Sequence, residues 1–289
     1  MLLAGIIVWV YRHGVLFQRI SLWHILPPVM ASAIGILLGA EGLRCITAAY
    51  KKHLRPATAL YISAMGTLGN SMGGLPIGTT FKYVSLSRKA GLTAKETTVG
   101  LLVFTVAMVI LLTLTAAVSI WATSLPYSYK LTSMGMALLI AIAGLWLYKW
   151  LRGKNFWKQH VAPFFQENCL SRVFIISLLT TTIFIVNFCL IGVLLFPELP
   201  LASLIFISAL GALVGQGSMI QSVGGIQEFV MGLSALLTGF GLLDGVQIAL
   251  VSRAASIISS GTVVIYLHFA PGNTGAAARN RGGQDRNET

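Results

Sequence analysis

Two apolar stretches of this chain are interrupted where a membrane-crossing helix would have to be continuous. The first carries Gly69-Asn70-Ser71-Met72-Gly73-Gly74-Leu75-Pro76-Ile77-Gly78. The second carries Gly215-Gln216-Gly217-Ser218-Met219, then Gly224-Gly225-Ile226-Gln227-Glu228. Each reads as a glycine, a carboxamide, Ser-Met, and then a Gly-Gly pair before a branched apolar residue. Hydrocarbon offers no partner to a bare peptide group, so irregular chain at membrane depth survives only inside protein or beside a water-filled cavity. Broken segments at corresponding positions of two halves mark the ligand site in transporter folds. The expectation is a transporter-like membrane protein whose site lies where the two breaks meet.

Composition makes lipid the relevant solvent. The 289 residues are 56% hydrophobic and only 10% charged, with a mean hydropathy of +0.82; soluble domains carry about 25% charged residues. The net charge of +12 sits in short loops beside apolar runs. That is the pattern of cytoplasmic loops against anionic headgroups, so no nucleic-acid partner is expected. Cys45, Cys169 and Cys189 show no C-x-x-C spacing, which supports neither a disulfide framework nor a zinc site. No basic region precedes the first apolar run, so a cleaved signal peptide is not expected.

Apolar runs occupy 25–49, 97–122, 131–150, 173–196, 201–220, 226–240 and 246–270, with a run at 2–10 too short to span; a ~30 Å core needs roughly 20 residues. The predicted fold is all-α: a polytopic helical membrane protein of about eight transmembrane helices with one or two re-entrant broken segments and two pseudo-repeated halves. The membrane domain covers 1–270, with breaks near 57–78 and 215–228, and 82–95 reads as a polar loop. The tail 271–289 is rich in Gly, Asn and Arg and reads as disordered. Cations crowd 51–55, 82–95, 149–158 and the tail, whereas 123–130 and 197–200 hold only Lys130. A cytoplasmic C-terminus fits that bias only if 57–78 enters and leaves on one side, because a single crossing would put 82–95 outside. Arg12 and Arg19 are a mild exception.

Few residues could carry chemistry. Glu41 and Arg44, three apart on one helix face, can pair near the interface, as a structural clamp or a coupling pair. Arg253 falls about two turns into the last run, too deep for a loop charge, so it should face the bundle interior and a partner or anion. Glu228, just past the second break, is its expected partner. A structural clamp and an anion or proton site both remain open for that pair, and Glu228 also suits the positive end of a helix. Asp244 reads as turn chemistry. Gly74-x-x-x-Gly78, Gly211-x-x-x-Gly215 and Gly241-x-x-x-Gly245 permit close helix approach, and Thr180-Thr181-Thr182 reads as local helix bonding. There is no G-x-x-x-x-G-K-[ST] and no H-E-x-x-H, so neither an enzyme nor a cofactor is expected.

The residues that break the runs also carry a likeness. Asn70, Gly74, Leu75-Pro76, Gly78, Lys82 and the run from Leu86 through Arg88 and Gly91 to Leu92 form one motif. Gly224-Gly225-Ile226, Glu228, Gly239, Arg253 and Gly261 form another, and Glu41-Gly42-Leu43-Arg44 a third. Together they resemble the transmembrane, flippase-like region of lysylphosphatidylglycerol synthetases and its stand-alone inner-membrane relatives, over nearly the whole chain. Thr79-Thr80 stands where many members have Gly-Glu, and Gln227 where many have Gly; both departures bear on the ligand rather than the fold. The resemblance implies a multi-pass protein of a bacterial inner membrane without the soluble synthase domain. It implies translocation or binding of a phospholipid or lipid-linked headgroup, anionic by the cations present. The substrate-binding residues would be Asn70, Gly74, Pro76, Gly78, Lys82, Gln216, Gly224, Gly225, Glu228 and Arg253. A non-transporting accessory protein for a lipid- or glycan-modifying enzyme is the alternative. Membrane lipids are the expected partners, with room for a partner enzyme or a homo-oligomer.

Overall fold

The computed structural model describes residues 22–72, 77–123, 157–165, 169–217 and 225–269, with scattered positions between 125 and 155. The run at 2–10, the tail, most of 131–150, and Gly74, Pro76 and Gly224 lie outside the described residues, as does the side chain of Gln216. All regular structure among the described residues is helical. The long helices are α1 (Leu22–Ala49), α2 (Pro56–Met72), α3 (Ile77–Ala90), α4 (Ala94–Trp121), α5 (Cys169–Leu195), α6 (Leu201–Gly217), α7 (Ile226–Leu237) and α8 (Leu242–Phe269). Four of them, α1 from Ile25, α4, α5 and α8, are long and apolar enough to cross a membrane. Leu102, Val106, Ile110, Leu114 and Val118 stand exposed at four-residue spacing along α4. In lipid such a stripe is the solvated face rather than a liability. This is a helical membrane protein.

The stretch 82–95, expected as a polar loop, is instead helical as far as Ala90. Buried Gly78, Ser85 and Leu86 fall on one face of α3, and Phe81 packs beside Leu86 in the same core. Arg88 and Lys89, near its C-terminal end, are exposed, whereas the Lys82 stem turns inward against α2. Gly91, at φ 66°, ends the helix in the left-handed conformation that glycine adopts without a Cβ penalty. Thr93 and Glu96 then form a capping box that starts α4.

Side-chain pairings give the direction of each helix. Gly69 lies against Gly78, Gly66 against the Lys82 stem, and the Lys89 ammonium sits 5.3 Å over the Tyr61 ring. α3 therefore runs back along α2. Lys52, ahead of α2, contacts the Gly91 carbonyl and lies 2.9 Å from Glu96, beyond α3; the hairpin enters and leaves at one end of the bundle. Cys169 at the start of α5 donates from its thiol to the Cys45 carbonyl near the end of α1, at 3.8 Å. α5 thus begins at that same end and delivers the turn at Pro197–Pro200, and the start of α6, to the opposite end. Gly211 of α6 meets Met231 of α7, so these helices form a second hairpin, entered from the other side. α8 packs on α1, α2, α5 and α7, joining the two hairpins. Each hairpin has its own apolar core, around Ile46, Ile62, Leu86 and Phe164 for the first and Leu204, Ile207, Met231 and Ile248 for the second.

The cavity between the hairpin tips

The tips meet at a cavity of about 140 Å³. Thr67, Asn70 and Ser71 of α2 and Lys82 of α3 line it from one hairpin; Gly215 of α6 and Gln227 of α7 line it from the other. Arg253, Ser252 and Ser256 of α8 complete the polar wall, and Phe184 and Phe188 of α5 add aromatic faces.

Backbone proximity sets the first tip. A Cβ on Gly66 would occupy the space of the Lys82 stem, and one on Gly78 would collide with the Gly66 carbonyl and the Asn70 carboxamide. Asn70 Oδ1 accepts from the Thr79 amide at 3.2 Å, so the carboxamide ties the two sides of the break together and satisfies an amide in the first turn of α3. At the second tip, Gly225 holds φ 106° at the N-terminus of α7, with no side-chain cap on that helix.

Arg253 Nη2 lies 2.7 Å from Glu228 Oε1, with the two side chains 15% and 1% exposed. The pairing expected from sequence is thus present. The contact is ionic without hydrogen-bond alignment, and neither carboxylate oxygen accepts a hydrogen bond. Arg253 lies deeper than the sequence suggested, about three turns into α8, because the helix begins at Leu242 rather than Val246. Beside it, Asn187 Nδ2 donates to Ser32 Oγ at 3.4 Å and Ser252 Oγ at 3.3 Å, and the Ser32 and Ser256 hydroxyls are 3.4 Å apart. Asn187 Oδ1 is buried and accepts nothing.

Of the residues predicted for the site, Asn70, Lys82 and Arg253 share the cavity wall. Glu228 stands against Arg253, Gly78 packs beneath Asn70, and Gly225 starts α7. Glu41 and Arg44 pair at 2.6 Å, about half exposed, and do not line the cavity. Asp244 accepts from the Gly241 amide at 2.9 Å, as turn chemistry. Thr180 and Thr182 bond back within α5. Sequence reasoning missed Ser32, Asn187, Ser252 and Ser256. The available signal was an Asn in the middle of an apolar run, where a carboxamide needs a partner. Among the described residues no His, Cys, Asp and Glu group could hold a metal ion.

The formal charges of Lys82, Arg253 and Glu228 leave one net positive charge, flanked by hydroxyls, carboxamides and aromatic faces. Such a wall suits an oxyanion carrying polar substituents. No family profile, no curated protein and no solved structure matches the chain.

Proposed function

We propose that this chain is a flippase-like transporter that binds and translocates the anionic headgroup of a phospholipid or lipid-linked substrate. Translocation takes place at the cavity between two opposed re-entrant hairpins. The observation that carries the reading is that Asn70 and Lys82 of one hairpin share a single cavity with Gly215 and Gln227 of the other and with Arg253. On this reading α2–α3 and α6–α7 are the re-entrant elements of two pseudo-repeated halves, so the runs at 201–220 and 226–240 no longer count as crossings and the spans number about six rather than eight. The basic end of α2–α3 lies in the cytoplasm of a bacterium, and α6–α7 enters from the opposite side. Arg253 and Lys82 attract the headgroup phosphate, Arg253 through its planar fork and Lys82 as a point charge. Asn70 and Gln227 hydrogen-bond the same group. The resemblance to the transmembrane region of lysylphosphatidylglycerol synthetases supports the same assignment.

Headgroup-labelled lipids in proteoliposomes test it. The native chain is expected to move an anionic phospholipid between leaflets faster than protein-free vesicles, with Arg253→Ala reduced at least ~10-fold, the equivalent of one charge-assisted hydrogen bond. Folded native protein that moves no lipid in a panel spanning anionic, zwitterionic and glycosylated headgroups would overturn the transport reading and leave an accessory role.

A further inference from the structure

We infer that anion binding in this cavity is coupled one for one to protonation of Glu228, so that the buried ion pair exchanges a ligand charge for a proton. The inference rests on the anion-binding reading and supplies its driving force. Arg253 faces two ways: its guanidinium touches Glu228, and the residue also lines the cavity. A guanidinium carries five N–H donors in a planar fork. Among the described residues Arg253 makes one polar contact, and that one is not aligned as a hydrogen bond. The remaining donors match a phosphodiester, which accepts two parallel N–H bonds.

A phosphodiester that takes the guanidinium deprives Glu228 of its counter-charge. Glu228 is 1% exposed and neither oxygen accepts a hydrogen bond, so only the N-terminal dipole of α7 is left to offset an ionised carboxylate there. A proton delivered from water forms an O–H bond on the carboxylate and removes that charge. The empty site holds carboxylate and guanidinium; the loaded site holds carboxylic acid, guanidinium and anion. Net charge is the same in both, so anion and proton enter as a neutral unit and a proton gradient can drive the lipid.

The neighbouring ionisable groups are few. α6 holds none, nor does the connection 218–224. α8 presents Arg253, and Lys82 of α3 reaches the same cavity from the other hairpin. Lys82 is therefore the competing proton acceptor.

The test is calorimetric binding of glycerophosphoglycerol to the purified full chain across mildly acidic to mildly alkaline pH, where a phosphodiester keeps one negative charge. One linked proton lowers affinity about tenfold per pH unit on the alkaline side. That slope is expected for the native chain and for Lys82→Met, which should bind more weakly. Glu228→Gln is expected to bind with an affinity independent of pH. An indicator dye in weak buffer should read one proton taken up per anion by the native chain, so the test stands even if Glu228→Gln misfolds. Binding with a flat pH profile and no proton uptake would overturn the coupling while leaving the cavity reading intact. A slope kept by Glu228→Gln but lost in Lys82→Met would assign the proton to Lys82 and overturn it. Absence of binding at every pH would overturn both.

Discussion

Arg253 lies at a depth where hydrocarbon charges an unpaired cation at least ~2.5 kcal/mol, and Glu228 at 1% exposure is costlier still without a partner. Removing one member of a buried pair strands the other, typically at roughly 3–5 kcal/mol, whereas replacing both with apolar or neutral groups of similar size is often neutral or better. Glu228→Gln and Arg253→Met are each expected to destabilise the purified protein within that range. Glu228→Gln combined with Arg253→Met should recover most of the loss. A double-mutant cycle by denaturant unfolding in detergent decides it, and a coupling energy below about 0.5 kcal/mol would mean that the pair does not hold the fold. The pair was legible in the sequence because charges within apolar runs are rare and each needs a partner. The Ser32, Asn187, Ser252 and Ser256 group was not legible. Small hydroxyls are ordinary in membrane helices, and only the packing of α1, α5 and α8 brings these four together.

The hairpins show how far a motif determines an element. The glycines at the first break announced that the helix must stop, and the cation bias announced that the chain must turn back. Neither signal disclosed that 82–90 would be helical, because a stretch rich in Lys, Arg and Ser reads as solvated until one face is known to pack on α2. The close approach that builds the first tip sits at Gly78, where an added Cβ would meet the Gly66 carbonyl, a backbone atom with little freedom to yield. Overpacking of this kind costs typically 1–3 kcal/mol. Gly261, also part of the family likeness, lies in α8 with open space around its Cβ position. An alanine there stabilises a helix by roughly 0.5–1 kcal/mol. Gly78→Ala should therefore lower the melting temperature and Gly261→Ala should hold or raise it, read by thermal denaturation of both variants in one detergent. Equal effects at the two glycines would show that the α2–α3 contact is not tight.

At the scale of the whole molecule, charge and topology agree on a polarity. Lys51, Lys52, Arg55, Arg88, Lys89, Lys95 and Arg172 lie at the end where the first hairpin enters, and Glu198 and Asp244 lie at the end where the second enters. On the proposed reading the positive-inside rule predicts that the first end faces the cytoplasm. The assignment depends on α2–α3 returning to its starting side; a single crossing would place Lys51 and Lys89 on opposite faces of the membrane. Single cysteines at Lys51, Lys89 and Glu198, in a background lacking Cys45, Cys169 and Cys189, separate these arrangements. A membrane-impermeant maleimide should label the cysteines at positions 51 and 89 only in inside-out vesicles, and the one at position 198 only in intact cells. Position 89 tolerates the change, since losing its exposed contact with the Tyr61 ring costs about 0.5–1 kcal/mol. Labelling of positions 51 and 89 from opposite sides would dissolve the opposed hairpins and with them the cavity they share. Labelling from one side leaves two hairpins that enter from opposite ends and share a cavity with Arg253, the arrangement the transport reading requires if one site is to face either leaflet while most of the bundle stays still.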